Sequence, residues 1–406
     1  PFVVAHMQAG MTLANMDAPL AEDTRPAIYL TNALTGWEPH TNKPLPFPEL
    51  EAERASADAV KQATPILVIL GNPPYDGYAG IADNAEERAL TDEYRKVKKV
   101  VPPQGQGLNE LYVRFFRMAE RRIADKTGEG VISFISNYGW LDSLSCPGMR
   151  ERYLETFDSI AIDCLNGDKF KTGKKTPEGL PDPSIFSTPA NREGIKVGTA
   201  ITTLVRKKDH KPSETVAFRH LWGTSKRETL AATAEVDPTT LYEHLTPSLP
   251  LRLQFMPANV GAGYFEWPRL PELLPVSFAG VKTSRDEFLI DVDRNALEKR
   301  IEQYFDLKVS DADLTRAFPA LMNSSARYNP ADTRKSLMGR KHALGDIVRY
   351  AYRPFDVRWA YWDPDTKLID EKRPEFFGNT GFDNRFLTAG ERNRMGIFYK
   401  PQSVSV

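Results

Sequence analysis

With 406 residues, the chain has room for two domains and a large core. Its 53 Lys+Arg balance 54 Asp+Glu, which excludes a global basic field and leaves any nucleic-acid contact to local patches. Two cysteines exclude a disulfide framework and fit a reducing cytoplasm, the six histidines lack zinc-site spacing, and no apolar run reaches the ~18 residues of a membrane span.

Residues 1–17 predict an amphipathic helix, with Val4, Met7, Met11, Leu13 and Met16 on one side. Residues 26–30 (PAIYL) read as a strand that ends at Thr31-Asn32. Residues 36–64 are Pro-rich and then charged, which predicts a surface loop leading into a helix at 48–62. Residues 66–70 (ILVIL) form an unbroken apolar run, short and β-branched enough for a buried parallel strand.

That strand stops at Gly71, and Asn72-Pro73-Pro74-Tyr75 follows. Open α/β sheets place their chemistry at the carboxyl ends of strands. Two prolines fix φ twice and remove two N–H donors. What remains is a pair of acceptors, the Asn72 side-chain oxygen and the Pro73 carbonyl, beside the Tyr75 ring. Such a pair suits a planar ring that carries an NH2 group. The acceptors hold the two amine hydrogens and draw the nitrogen lone pair out of conjugation, so a poor nucleophile becomes usable without a general base. The plainer reading is a strand followed by a Pro-rich turn.

Residues 76–107 are polar and punctuated by Gly and Pro, with a basic run at Arg95, Lys96, Lys98 and Lys99. That run is either a solvated face or a phosphate contact made by Lys98 and Lys99. Residues 108–126 predict a helix with the stripe Leu111, Phe115, Met118, Ala119 and Ile123, and with Arg114, Arg117, Arg121 and Arg122 opposite. A Gly-Glu-Gly turn and the strand 131–135 (VISFI) complete a crossover unit, which predicts a mainly parallel sheet. A helix at 149–157 and a strand at 159–165 follow. Residues 166–184 read as a loop too polar to pack, carrying Lys169, Lys171, Lys174 and Lys175. Ile185-Phe186 precedes a strand at 197–205 that closes the core.

The charged, Pro/Thr-rich stretch that ends at 250 reads as a connection. Residues 251–406 are richer in aromatics and basic clusters, at 280–286, 334–341 and 347–359. Interleaved Arg and aromatic residues suit phosphate and base contacts, with Lys282, Arg285, Arg353 and Arg358 as candidates. They equally suit a structural cation–π network.

ILGNPPY after a strand resembles the gamma-class adenine-N6 DNA methyltransferases; the tetrapeptide also occurs in glutamine-amide methyltransferases of proteins. The ordered series YLTNAL, ILGNPPY, LYVRFFRMAE, GEGVISFISN, LNGDKFK and IFS…GTAI is similar to the methyltransferase part of Type ISP restriction-modification enzymes. VKTSRDEF and YRPFDVRW resemble their target-recognition part. In that family a nuclease, a helicase motor, a methyltransferase and a recognition domain share one chain.

The resemblance implies an α/β fold with a Rossmann-like methyltransferase sheet and a second α+β recognition domain. The expected division is a catalytic domain at 1–210, a connection at 211–250 and a recognition domain at 251–406. The implied substrates are double-stranded DNA and S-adenosylmethionine. Asn72 and Pro73 would hold the amine of a flipped adenine, and Tyr75 would stack on it. Phe186 either faces Tyr75 across the base or is an ordinary strand-edge residue. Asn32 either reads the adenine of the methyl donor or caps a turn. Lys171 and Lys174 join Lys98 and Lys99 as DNA contacts.

One departure stands out: residues 1–64 hold no glycine-rich donor-binding loop, with Gly10 and Gly36 alone. The family's first two strands lie between those assigned to 27–31 and 66–70. Their absence would leave unpaired sheet edges, so the expectation is a segment of a longer polypeptide, joined to upstream methyltransferase strands and to helicase or nuclease domains. Two alternatives to a DNA adenine methyltransferase remain, a non-catalytic DNA-specificity module and a protein glutamine-amide methyltransferase.

Overall fold

The computed structural model describes residues 2–22, 24–37, 47–75, 84–105, 107–237, 240–258, 260–261, 263–273, 281–325, 327–338, 346–353, 356–373, 385–386 and 402–403. The chain divides into two compact units, Pro1–Phe265 and Glu266–Val406.

The first unit is built on a six-stranded mixed sheet. Its strands are β1 (Val68–Gly71), β2 (Gly130–Asn137), β3 (Ser159–Asn166), β4 (Thr199–Arg206), β5 (Val216–His220) and β6 (Glu243–Leu245), in the order β1-β2-β4-β3-β5-β6. Along β2 the buried residues Ile132, Phe134 and Ser136 alternate with half-buried ones, the period of a strand with one face on a core. β1 runs parallel to β2, and β3 runs parallel to β5. β4 lies antiparallel between β2 and β3, so the sheet is mixed rather than mainly parallel. The cause is the connection: residues 167–198 join β3 to β4 without a crossover helix, and a strand that returns directly must reverse.

Helices α1 (Phe2–Asn15), α2 (Pro48–Ala63), α3 (Ala85–Asp92), α4 (Leu111–Glu120), α5 (Pro147–Thr156) and α6 (Lys226–Ala232) complete the unit. The core forms where α4 and α5 meet the sheet. The Phe116 ring packs against Phe134 at 5.1 Å, Trp140 at 5.5 Å and Tyr153 at 6.1 Å between centroids. Each such side chain contributes ~1.5–3 kcal/mol by burial.

α4 is buried on nearly all sides, and of the arginines opposite its apolar stripe Arg114, Arg117 and Arg122 are buried. Arg114 pairs with Glu87, and Arg117 with Glu120 at 3.2 Å and Asp125 at 2.9 Å. Glu120 is fully buried and accepts from the Tyr94 hydroxyl at 2.8 Å and from Arg152. Charge removed from water in this way needs these partners, because an unpaired buried ion costs several kcal/mol. After α4 the chain continues as a π-helix, Arg121–Thr127, which ends at Gly128 with φ +89°.

Three other expectations are corrected. Residues 26–30 are irregular, and Leu30 is exposed. β1, expected to be buried, is exposed: among the described residues it bonds only to β2, and Leu67, Val68 and Leu70 point outward with Leu70 74% exposed. The stretch 211–250, expected as a connection, supplies β5, α6 and β6 to the first sheet. Residues beyond 250 belong there too. The fully buried Arg150 donates to the carbonyls of Trp140 at 2.6 Å, Arg252 at 2.9 Å and Leu253 at 3.1 Å, and Phe255 packs on Trp140. Burial away from water brings the Arg150 guanidinium down to about 10. α1 forms as expected, but its apolar face carries no buried residue.

Asp158 immediately precedes β3 and accepts from Lys207 N at 2.8 Å, Lys211 N at 2.7 Å and His210 Nδ1 at 2.9 Å. Burial alone would raise its carboxyl, but these donors outweigh that and hold it at about 2. A depressed carboxyl stabilises the fold above its unfolded value near 3.9 and loses that contribution as pH falls through the folded one. Asp158→Asn is therefore expected to flatten the fall in thermal stability between pH ~4 and ~2 by about 1 kcal/mol. Calorimetric melting of both proteins across that window checks it.

The second unit is α+β. Strands β7 (Ile290–Asp291), β8 (Ile347–Arg353) and β9 (Asp356–Tyr361) form an antiparallel sheet in the order β7-β9-β8. The helix Arg294–Phe305 packs on it, with Leu297, Ile301 and Tyr304 in a core shared with Phe288, Leu337 and Tyr361. Arg334 is part of this core: it donates to the carbonyls of Tyr304, Asp306 and Val309 and lies over the Tyr304 ring.

Candidate functional site

The register fixes which loops share one sheet edge. β1, β2 and β3 all run toward it, and β4 starts from it, with Thr199 paired to both Asn137 and Asn166. The loops after Gly71, Asn137 and Asn166 and the segment before Thr199 therefore lie along the same edge.

Asn72 follows directly after β1. It is exposed, and neither its amide nor the Pro73 carbonyl has a hydrogen-bond partner among the described residues. Pro73 is buried, which anchors the loop while Asn72 remains accessible. Tyr75 donates its hydroxyl to the Ile135 carbonyl on β2 at 3.1 Å, which orients the ring across the strand end. Burial keeps that phenol neutral well above its ordinary range. The Tyr75 and Phe186 rings meet edge to face, centroids 5.7 Å apart at 68°. The loop thus presents two free acceptors next to an aromatic pair. A planar base between parallel rings needs about 7 Å, twice the 3.4 Å stacking rise, so one ring must swing aside to admit it.

Phe186 is held by the loop around it. Its N–H reaches Ser184 Oγ at 3.3 Å, which also accepts from Ile195 N. The stretch 166–184 is more ordered than its polarity suggested. Asp168 and Asp182 are buried: Asp168 accepts from the backbone of Phe170 and Lys171, both at 2.6 Å, and of Gly198 at 2.9 Å. Asp182 accepts from Gly167 N at 2.7 Å, Gly223 N at 2.8 Å and the buried Lys226 ammonium at 2.6 Å. Aspartates that satisfy buried N–H groups replace the apolar packing this loop lacks.

Asn32 lies elsewhere. Its Oδ1 accepts from Leu34 N at 2.9 Å, the turn-capping bond, and the residue also lines a cavity of about 450 Å³. Lys61 fixes that turn with three 2.7 Å bonds to Thr31 Oγ1 and the Asn32 and Thr35 carbonyls, and burial lowers its pKa. Glu53 and Asp58 also line the cavity. Asn32 Oδ1 accepts from Leu34 N and Glu53 is ion-paired with Arg25, so these groups are engaged within the fold and do not by themselves mark a site for the adenosine half of S-adenosylmethionine. No glycine-rich turn for its amino-acid half stands among the described residues up to 64.

The basic candidates separate sharply. Lys98 and Lys99 are exposed, their backbone N–H groups bound to Glu151 and the Lys98 ammonium 2.7 Å from Glu155. Lys171 pairs with Asp142 at 3.0 Å and lies 4.7 Å over the Tyr138 ring, and Lys174 reaches the Glu193 carbonyl. Lys282 is exposed, 3.4 Å from Asp370. Arg285 is buried, donates to the Lys367 and Leu368 carbonyls and stacks 3.8 Å over Tyr328, so it is a core residue and not a free cation. Arg358 is bound to Asp356 and stacked on Tyr352 at 4.3 Å. Arg353 lies on β8 opposite Asp356; its side chain is outside the described residues. Arg349, in the same stretch of alternating Arg and aromatic residues, is exposed on β8 and lies 4.8 Å over Trp359.

Among the described residues, no helix is long and apolar enough to cross a membrane, and no group of three His, Cys, Asp or Glu is placed to hold a metal ion.

Residues 272–398 match a family profile described as "Type ISP C-terminal specificity domain". No curated protein sequence matches the chain. Three solved structures each cover 91% of it. They are a nuclease-deletion mutant of the Type ISP restriction-modification enzyme LlaGI in complex with a DNA substrate mimic (TM-score 0.60, 19% identity, 31% of that chain), the ATP-dependent Type ISP restriction-modification enzyme LlaBIII bound to DNA (0.62, 20%, 24%) and a DrdV–DNA complex (0.56, 21%, 37%). The chain thus spans between about a quarter and somewhat over a third of the length of these structures. These likenesses show the fold, an α/β chain with a six-stranded mixed sheet and a second, smaller antiparallel one.

Proposed function

We propose that this chain is the methyl-transferring and DNA-recognising part of a restriction-modification enzyme, acting on the exocyclic amine of an adenine flipped out of duplex DNA. The observation that carries the reading is Asn72: an exposed amide and a free neighbouring carbonyl at the carboxyl end of a strand, beside two facing aromatic rings. The DNA-bound state of structures with the same fold, and the specificity-domain match over 272–398, support DNA as the substrate.

The chain's own residues would act as follows. An enzyme that works on a base inside a duplex must extrude it. Tyr75 and Phe186 part and close on the two faces of the base, which offsets part of the unstacking cost by ~1–3 kcal/mol per aromatic contact. The amine then points at Asn72 Oδ1 and the Pro73 carbonyl. Two acceptors in the plane of the loop bind the amine hydrogens and localise the lone pair on nitrogen, directed out of the ring plane. Bound S-adenosylmethionine supplies the methyl group. No side chain need take the proton before transfer, because the amine is made nucleophilic by geometry.

A second reading, a DNA-specificity module that positions a partner's activity, is favoured by one observation, the specificity-domain match over 272–398. Incubation with radiolabelled S-adenosylmethionine and a randomised duplex pool separates the two. Label on adenine in one sequence context is the expected result. Sequence-selective binding with no label favours the second reading, and neither binding nor label overturns both.

A further inference from the structure

The strand-edge loop carries a side chain that the base-binding role does not use. Phe170 is 73% exposed, yet it stands on a turn held by a network of hydrogen bonds around Asp168. Asp168 Oδ1 takes the N–H groups of both Phe170 and Lys171, and the Asp168 carbonyl takes Lys174 N at 2.9 Å and Thr172 Oγ1 at 2.8 Å. Lys169 N is bound to the Lys196 carbonyl at 2.8 Å, and Asp168 Oδ2 to Gly198 N, which ties the turn to the start of β4. A large apolar ring is thus displayed on a rigid support, flanked by Lys169 and Lys171, at the same sheet edge as Asn72 and Phe186. A stiff aromatic between two ammonium groups suits insertion into a base stack, with the lysines released from Glu193 and Asp142 onto the flanking phosphates.

We infer that Phe170 is a wedge that enters the duplex beside the extruded base and fills the space it leaves, a positioning residue for base flipping. The inference rests on the DNA-methyltransferase reading above. Extrusion leaves a gap as thick as one base, and an aromatic ring has that thickness. A wedge on a mobile loop would lose its effect to ordering, and the Asp168 bonds remove that loss in advance.

The test uses the chain and a duplex it selects from a randomised pool, with 2-aminopurine placed at each adenine of the selected site in turn. At one position, binding is expected to raise 2-aminopurine fluorescence several-fold. Phe170→Ala should abolish that rise while affinity for the duplex falls less than about threefold, and Phe170→Trp should restore it. Opposite an abasic site, where the target is already unpaired, Phe170→Ala should regain the signal. A full fluorescence rise with Phe170→Ala in the paired duplex overturns the wedge and leaves the methyltransferase reading standing. Failure of the pool to yield any selected duplex removes both.

Discussion

Asn72→Ala is expected to lower methyl transfer to DNA by about 10²–10³-fold, the loss found when one preorganised partner of a reacting group is removed. The side chain is exposed and makes no hydrogen bond among the described residues, so its removal should change stability by no more than about 0.5 kcal/mol. The rate should therefore fall with the melting temperature unchanged. Asn72→Asp distinguishes an acceptor from a mere spacer. It keeps an acceptor oxygen, and so should retain more activity than alanine. Equal transfer rates for the parent and Asn72→Ala, measured by label incorporation at saturating DNA, would falsify the assignment of this loop.

The largest effect on stability belongs to Lys226. Its side chain is 2% exposed, and the ammonium bonds Asp182 Oδ1 at 2.6 Å and the Pro183 carbonyl at 2.8 Å. Lys226→Met leaves the fully buried Asp182 without its counter-charge. Breaking one side of a buried pair typically costs 3–5 kcal/mol, and a loss of about 4 kcal/mol in urea unfolding is expected here. The two peptide N–H groups that Asp182 also holds, at Gly167 and Gly223, fix the turn below Phe170, so residues 167–184 should become sensitive to trypsin at their lysines. Replacing both partners together, with Asp182→Asn, should recover part of the loss because no lone charge remains. A double variant no more stable than Lys226→Met would contradict this account.

How much of this was legible in the sequence depends on the range of the interaction that decides each feature. The strand and turn at 66–75 and the helices expected at 48–62 and 149–157, found at Pro48–Ala63 and Pro147–Thr156, were legible, because composition, proline placement and periodicity are local signals. The facing of Tyr75 and Phe186 was open in the sequence, and the structure brings the rings together. The reversal of β4 was not legible, since strand direction is set by a long connection whose path no local pattern encodes. The burial of β1 was misread, because a continuous apolar run predicts burial on both faces only when neighbours exist to provide it, although an unpaired edge there was expected from the missing strands. Arg285 and Arg334 were read among basic clusters, but each stacks on a tyrosine and satisfies carbonyls inside the second core. Guanidinium–aromatic pairs look alike in sequence whether they bind phosphate or close a core. Asp168 and Asp182 gave no signal, because an aspartate in a polar loop is ordinary until its buried donors are seen.

The open side of β1 has a practical consequence for handling the protein. Leu67, Val68 and Leu70 project around a row of peptide groups with no bonding partner on that side among the described residues, and the four residues of β1 include no lysine, proline or glutamate. Such a rim is a template that any extended segment can copy, including another molecule's. In concentrated stocks the cohesion would come from this short stretch rather than from the charged surface, so dilution and mild chaotropes should disperse the protein better than added salt.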